Sequence, residues 1–181
     1  MTQILLLVAL ALQQQPATPA APEMPDRSTQ WGSAQATYAS VRGFILKSAE
    51  KMPAEHFAFQ PTSDVRSFGQ VLAHIVDANY FLCAPAMGVE SPNGTVLQKT
   101  ENAKLGRDAM MQTLKDSFAF CDKAYSGITE SNLNDVVTFA NGKRPRLATL
   151  WFHIAHAFEH YGNLVTYMRL KGIVPPSSER G

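Results

Sequence analysis

The sequence has no excess of charge of either sign and no apolar run long enough to cross a membrane. Its 16 basic and 15 acidic residues give a net charge of +1, so no basic field would attract nucleic acid and we expect no nucleic-acid partner. An N-terminal apolar run, residues 4–12, falls short of the ~20 residues of a membrane-spanning helix. With 181 residues, 45% of them hydrophobic, the chain suits a single domain with a substantial core.

The N-terminal segment has the composition of a secretory signal peptide. Its apolar run is followed by a Gln-, Pro- and Ala-rich stretch that ends near Met24, and small residues such as Ala9, Ala17 and Ala20 offer cleavage positions. No Lys or Arg precedes the run, so a disordered Ala/Pro tail is the alternative. We expect residues 1–24 to be a signal peptide and disordered Ala/Pro segment. The mature protein would then be secreted or periplasmic, without stable membrane insertion after cleavage.

The chain is poor in cysteine, with only Cys83 and Cys121. Export to an oxidising compartment would permit a disulfide between them. The sequence by itself does not decide whether the two residues pair.

Strand patterns are nearly absent, and four segments carry the three- and four-residue spacing of amphipathic helices. These segments cover approximately residues 28–51, 67–84, 101–125 and 147–171. Ser67 and Gln70 form a capping box at the start of the second helix, and Pro85 and Gly88 are expected to end it. Residues 128–146 are expected to form an irregular connection. The fold class is therefore predicted to be all-α, with a four-helix bundle spanning residues 28–176.

Three of the five histidines, His153, His156 and His160, lie within one short segment of the fourth helix. At about 100° per residue, their spacing places all three on one helical face. An i, i+4 pair such as His156 and His160 can supply two ligands to zinc, nickel or iron, and the i, i+3 pair of His153 and His156 is the alternative. His74, on the apolar face of the second helix, is the leading candidate for the third ligand. His56 is interpreted as a surface residue.

Glu159 creates a competing motif. The segment from His156 to His160 fits H-x-x-E-H, the pattern of inverted zinc peptidases. Those enzymes need an acidic third ligand well downstream, and Glu179 is the only acidic residue that follows. We therefore favour an outer-shell or surface role for Glu159.

Several short motifs resemble those of the DinB-like, or YfiT-like, metal-binding family. They are Phe59-Gln60-Pro61, Val65-Arg66-Ser67-Phe68-Gly69-Gln70, Leu72-Ala73-His74, and His156-x-x-x-His160-Tyr161-Gly162-Asn163 followed by Tyr167-x-Arg169. The resemblance implies a four-helix bundle of up-down-down-up topology in which three histidines hold a divalent metal. Carried over to this sequence, the ligands are His74, His156 and His160, and His153 is an additional residue at the edge of the site.

The same resemblance implies which activities to consider. Thiol-dependent S-transfer, a thiol-dependent isomerisation and metal-dependent hydrolysis are associated with the family. Our leading interpretation is an exported protein that binds zinc, nickel or iron and acts as a metal-dependent hydrolase. The alternatives are a thiol-dependent S-transferase and a non-catalytic metal-binding or stress-related protein. The expected partner is a small-molecule substrate of unspecified chemistry, and a homodimer is kept as an option.

The implied topology also bears on the cysteines. Parallel second and third helices would bring Cys83 and Cys121 to the same end of the bundle. A simple antiparallel hairpin would instead separate them beyond the Cα distance of ~7 Å that a disulfide tolerates. Their pairing therefore tests the topology.

Overall fold

Helices make up most of the structure. The computed structural model describes residues 25–94, 98–140 and 142–179, so the expected signal peptide lies outside the described residues. The elements are α1 (Gln30–Lys51), α2 (Phe68–Met87), α3 (Lys99–Ala103), α4 (Arg107–Ser126), β1 (Val136–Phe139), β2 (Gly142–Pro145) and α5 (Arg146–Leu170). Single turns of 3₁₀ helix occupy Ala54–His56 and Pro176–Ser178. None of the described helices is both long enough and apolar enough to span a bilayer.

Helices α2 and α4 run parallel to each other. Cys83 and Cys121 form a disulfide with their Cα atoms 5.4 Å apart, across a sequence separation of 38 residues. One turn earlier on both helices, Asn79 Nδ2 donates to Ser117 Oγ at 2.9 Å, again across 38 residues. A constant separation along two helices occurs only when they point the same way.

Contacts of α1 establish the other helix directions. Gln35 donates to the backbone carbonyl of Tyr125, whereas Glu50, at the far end of α1, accepts at its carbonyl from Arg107 at the start of α4. These two contacts make α1 antiparallel to α4. Tyr38 of α1 packs on His153 of α5, and Phe44, later in α1, packs on Tyr161, later in α5. These two helices therefore run in the same direction. The up-down-down-up topology is confirmed.

The start of α2 is fixed as the sequence predicts. The hydroxyl of Ser67 accepts from the amide of Gln70 at 3.3 Å, and the side chain of Gln70 accepts from the amide of Ser67 at 2.8 Å. This capping box satisfies two amides that a helix leaves unpaired at its first turn. It sets the register of α2 two turns before His74.

The linker between α1 and α2 is held against the bundle by aromatic side chains. Phe57 packs on Phe68 with ring centroids 5.4 Å apart, and Phe59 packs on Tyr167 at 6.0 Å. The Tyr167 hydroxyl also donates to the carbonyl of Arg66 at 2.8 Å. These contacts fix the backbone of Arg66 just before α2.

The third expected helix is two helices. α3 ends at Ala103, Lys104 adopts the left-handed conformation (φ 49°), and Gly106 is the N-cap of α4. The prediction of one helix over residues 101–125 was wrong because apolar periodicity continues through the break. Periodicity is a local signal and does not report that α3 packs on α2.

Pro85 does not end α2. The helix continues to Met87, and Gly88, with a φ of +69°, forms its C-cap. A proline removes one helical hydrogen bond, and that loss is tolerated within the last turn. The expected end at Gly88 is confirmed, and the expectation that the helix stops before Pro85 was wrong for this reason.

The connection before α5 contains an antiparallel hairpin instead of irregular structure. Val136 of β1 lies opposite Pro145 of β2, and Phe139 lies opposite Gly142. Phe139 is buried in a small cluster with Ala78 and other apolar residues of α2. The fold is thus mostly helical, with a two-stranded sheet added to the predicted all-α bundle. Strands of four residues are too short to give a clear alternating pattern.

The disulfide is expected to contribute to stability. Replacing both Cys83 and Cys121 by alanine should lower the free energy of unfolding by about 3 to 4 kcal/mol, because the crosslink restricts the unfolded chain across a loop of this length. Denaturant titrations of the oxidised wild type and the double variant measure the difference. Non-reducing mass spectrometry checks the bond, and two free thiols in the native protein would contradict it.

Candidate metal centre

Three histidines converge between α2 and α5. His74 comes from α2, while His156 and His160 lie one turn apart on α5, and one ring nitrogen from each lies within 4.8 Å of the other two. The Nε2 atoms of His156 and His160 are 3.1 Å apart. The ring centroid of His74 is 5.3 Å from that of His156 and 4.6 Å from that of His160. The expected convergence is confirmed, and metal binding stays a prediction.

The surroundings of the three imidazoles favour their neutral form. Burial lowers the pKa of His74, with a further contribution from the positive charge of Arg66. Burial, with the neighbouring His74, also lowers the pKa of His156. The pKa of His160 falls to about 3, chiefly through burial and then through the two other histidines. Neutral imidazole is the form that binds a metal, so this donor set fits a divalent ion such as zinc, nickel or iron.

A carboxylate that the sequence analysis missed faces His74. Oε2 of Glu101 lies 3.9 Å from Nδ1 of His74, and Oε1 of Glu101 accepts from Nε of Arg66 at 3.0 Å. Among the described residues, neither Nδ1 of His74 nor Oε2 of Glu101 has a hydrogen-bond partner, although both atoms are buried. In the sequence, Glu101 is the first residue of the third expected helix, and no motif marks it.

Asp77 fixes the short helix that carries Glu101. Its carboxylate accepts from the amide of Thr100 at 3.0 Å, from the amide of Glu101 at 3.2 Å and from the side-chain amide of Asn93 at 2.7 Å. Asp77 is only 2% exposed, and these donors satisfy a group that would otherwise be costly to bury. Asp77 lies about one turn after His74 on α2. The same helix therefore carries the histidine and holds the segment that faces it.

His153 belongs to the core and does not lie at the edge of the histidine site. Its Nδ1 is hydrogen-bonded to the hydroxyl of Tyr125 at 2.8 Å, and its Nε2 to Oδ1 of Asn79 at 2.9 Å. Burial lowers its pKa to about 3. The expected edge position was wrong because His153 lies about 10 Å along α5 from His160, at a level where its ring meets Tyr125 and Asn79 instead.

The two cysteines and His153 also bring three potential ligand atoms together. The disulfide engages both sulfurs, so neither is available as a thiolate ligand or nucleophile. The chain has no free cysteine, and a thiol for any thiol-dependent reaction would have to come from outside.

The histidine site borders a polar cleft and an apolar groove. The cleft has a volume of about 550 Å³, and its lining includes Arg66, Glu101, Glu159, His160 and Asn163. The groove has a volume of about 170 Å³ and is lined by His74 and His156 together with Ala78, Phe81, Leu82 and Phe152. A small molecule with one polar and one apolar end matches this arrangement.

The inverted-peptidase motif is not completed in the structure. Glu179, the acidic residue that its third ligand would require, forms an ion pair with Lys51 instead. Glu159 is exposed and lines the polar cleft. His56 lies in the 3₁₀ turn after α1 and is not among the histidines that converge.

The family model for the DinB superfamily matches residues 37–164, a segment that contains all three converging histidines. The chain belongs to the DinB superfamily. No match was found among curated proteins.

Solved structures share the fold of this DinB-superfamily chain. A DinB-like protein from Bacillus cereus has a TM-score of 0.63 at 19% identity, over 79% of this chain and 93% of that one. A DinB-like protein from Bacillus subtilis has a TM-score of 0.61 at 18% identity, over 82% and 99%. A mycothiol-dependent maleylpyruvate isomerase has a TM-score of 0.64 at 18% identity, over 76% of this chain but only 62% of the isomerase. At such identities, the likeness establishes the fold alone.

Replacing His156 by alanine should abolish most metal binding and leave the helical content nearly unchanged, because apolar packing maintains the bundle. Metal analysis of untagged protein and circular dichroism measure the two quantities. His56→Ala is the matched control and should bind metal as the wild type does. Wild-type stoichiometry in His156→Ala would show that this histidine is not a ligand.

The metal-free protein should lose stability as the pH falls from about 6.5 toward 3. His153 has a pKa of about 3 in the folded state against 6.5 for an ordinary histidine, so within this range the unfolded chain binds a proton that the folded chain does not. One such proton corresponds to about 1.4 kcal/mol per pH unit. Unfolding free energies of wild type and His153→Gln at several pH values isolate this contribution. We expect a shallower decline in the variant, and equal slopes would contradict the assignment.

Proposed function

We propose that this DinB-superfamily chain is an exported protein that binds one divalent metal through His74, His156 and His160 and acts as a metal-dependent hydrolase. The observation that supports it is the convergence of three nitrogen donors to within 4.8 Å. Three histidine ligands resemble the donor sets of catalytic metal sites, which keep a position open for water or substrate.

The neighbouring side chains have separate roles in this proposal. A bound divalent ion would act as a Lewis acid and lower the pKa of a water molecule or thiol at its open position. Glu159 lines the same cleft as His160 and would accept a proton from the attacking water. Asn163, whose side-chain amide lies 3.3 Å from Nδ1 of His160, would orient that imidazole by accepting the Nδ1 proton at its Oδ1.

The two sides of the site indicate an amphipathic substrate. Arg66 and Asn163 in the polar cleft offer hydrogen-bond donors to one end of a small molecule. Phe81 and Phe152 line the apolar groove together with His74 and His156 and would bury an apolar end. The bond to be cleaved would then lie between these two ends, beside the three imidazoles.

A thiol-dependent S-transferase is the second candidate. The fold is similar to that of a mycothiol-dependent isomerase, and a thiolate is a suitable ligand for the same ions. This reaction would need an external thiol because Cys83 and Cys121 are bonded to each other. Hydrolysis needs only water and is therefore our first choice.

Two features support export. The sequence of residues 1–24 has the composition of a signal peptide, and a buried disulfide is typical of proteins in oxidising compartments. Export also separates the protein from the small cytosolic thiols on which S-transfer depends. Export is tested by recovering the protein from outside the cytoplasm and determining the N-terminus of its mature form.

The metal-loaded protein should hydrolyse at least one member of a panel of aryl esters, amides and phosphoesters with apolar leaving groups. Removing the metal or introducing His156→Ala should abolish this activity. Glu159→Gln should lower kcat at least about tenfold, the scale of a general base, without changing metal content. Glu130→Gln removes a carboxylate from an exposed loop and should have no effect.

A parallel assay of thiol conjugation to an aromatic electrophile distinguishes the candidates. Metal-dependent turnover in the thiol-conjugation assay but not in the hydrolysis assay would identify the protein as an S-transferase and not a hydrolase. Stoichiometric metal binding without turnover in either assay would favour a non-catalytic metal-binding or stress-related protein.

A further inference from the structure

We propose that Glu101 is a positioning residue that accepts a hydrogen bond from Nδ1 of His74, and that Asp77 holds Glu101 in place for this purpose. The inference rests on the proposed metal site and concerns how that site is prepared for a metal. It assigns a role to a carboxylate on α3, outside the two helices that carry the histidines.

Two unpartnered atoms facing each other carry the inference. Nδ1 of His74 and Oε2 of Glu101 are buried, lack hydrogen-bond partners within the described residues and lie 3.9 Å apart. Buried polar atoms are nearly always hydrogen-bonded, so an unpaired pair calls for an explanation. A small rotation of either side chain would bring the two atoms within hydrogen-bonding distance.

A metal would make this hydrogen bond obligatory. Because Nδ1 of His74 faces Glu101, its Nε2 is the atom available as a ligand. Ligation through Nε2 leaves the single proton of a neutral imidazole on Nδ1. That proton needs an acceptor, and Oε2 of Glu101 is the buried oxygen beside it. Carboxylate acceptors of this kind fix the ring orientation of ligating histidines and raise their basicity.

The geometry favours an outer-shell position over direct ligation by Glu101. The set of ligand atoms that lie within 4.8 Å of one another includes the three histidines but not Glu101. In addition, Oε1 of Glu101 is already bonded to Arg66. Arg66 therefore holds one oxygen of the Glu101 carboxylate, and the other oxygen faces Nδ1 of His74.

Asp77 and Arg66 keep Glu101 in this position from two sides. The carboxylate of Asp77 accepts from the amides of Thr100 and Glu101, which ties α3 to α2. The backbone of Arg66 is itself held by the hydroxyl of Tyr167. Positioning of a ligand by packed and hydrogen-bonded neighbours is what metal sites require.

The test compares Glu101→Ala and Glu101→Gln with Glu159→Gln as the matched control. Glu159 is also a carboxylate near the site. Burial lowers the pKa of His74 and His156, and the negative charge of Glu159 partly opposes this lowering for both, as that of Glu101 does for His74. Glu159 is not among the partners of His74 Nδ1. Zn²⁺ and Co²⁺ dissociation constants are measured by competition with a chromophoric chelator, together with the melting temperature of each metal-free protein.

Glu101→Ala should weaken binding of both ions by roughly 10- to 100-fold, the scale seen for outer-shell partners. Glu101→Gln should weaken it less, because an amide oxygen still accepts a hydrogen bond. The melting temperatures of the metal-free proteins should stay close to that of the wild type, and the visible spectrum of the Co²⁺ protein should keep its intensity. Glu159→Gln should change the dissociation constants by less than about threefold, since it removes charge without removing an acceptor.

Asp77→Asn tests the second part of the proposal. This substitution should weaken metal binding in the wild-type background but not further in Glu101→Ala, because Asp77 acts through Glu101. Independent effects of the two substitutions would overturn that part. If Glu101→Ala does not fold, the isosteric Glu101→Gln carries the comparison.

Three results would overturn the role of Glu101. Unchanged dissociation constants in Glu101→Ala and Glu101→Gln would show that no such hydrogen bond matters. A marked change of Co²⁺ spectral intensity would make Glu101 a direct ligand, and equal weakening by Glu159→Gln would reduce its role to charge. Failure of the wild type to bind either ion would instead refute the metal site itself, so the two failures are distinguishable.

Discussion

The packing of α2 between α4 and α5 is the constraint on which the rest of the structure depends. On one side, Asn79 and Cys83 join α2 to α4 through a hydrogen bond and a disulfide. On the other side, His74 meets the histidine pair of α5. These residues have fixed spacing along one helix, so the register of the core also sets the register of the site. A shift of α2 by one turn would separate His74 from its partners.

Much of this arrangement was predictable because its signals are local. The capping box at Ser67 and the helical spacing of His156 and His160 concern residues within one turn, where sequence patterns report structure directly. The bundle topology followed from the resemblance to a family. The break at Lys104, the hairpin and the approach of Glu101 to His74 depend on contacts between distant segments. No periodicity records those contacts, which is why the sequence analysis missed them.

His153 in the core and His74 at the candidate metal site differ in how their ring nitrogens are hydrogen-bonded. His153 has hydrogen-bond partners at both ring nitrogens, as expected for a residue that serves packing. Nδ1 of His74 has none among the described residues, although burial also lowers the pKa of His74. Incomplete satisfaction is costly in a core, and at the histidine site it involves two atoms that face each other, Nδ1 of His74 and Oε2 of Glu101.

The disulfide has a consequence for the selection of metal ions. Cys83 and Cys121 are the only cysteines of the chain, and their bond leaves imidazole and carboxylate as the donors around the histidine site. Thiolates are the donors that soft ions such as Cu(I) prefer, whereas imidazole suits zinc, nickel and iron. Because both cysteines are bonded in the disulfide, the protein has no thiolate to offer soft ions. Fewer kinds of metal ion therefore compete for the three histidines.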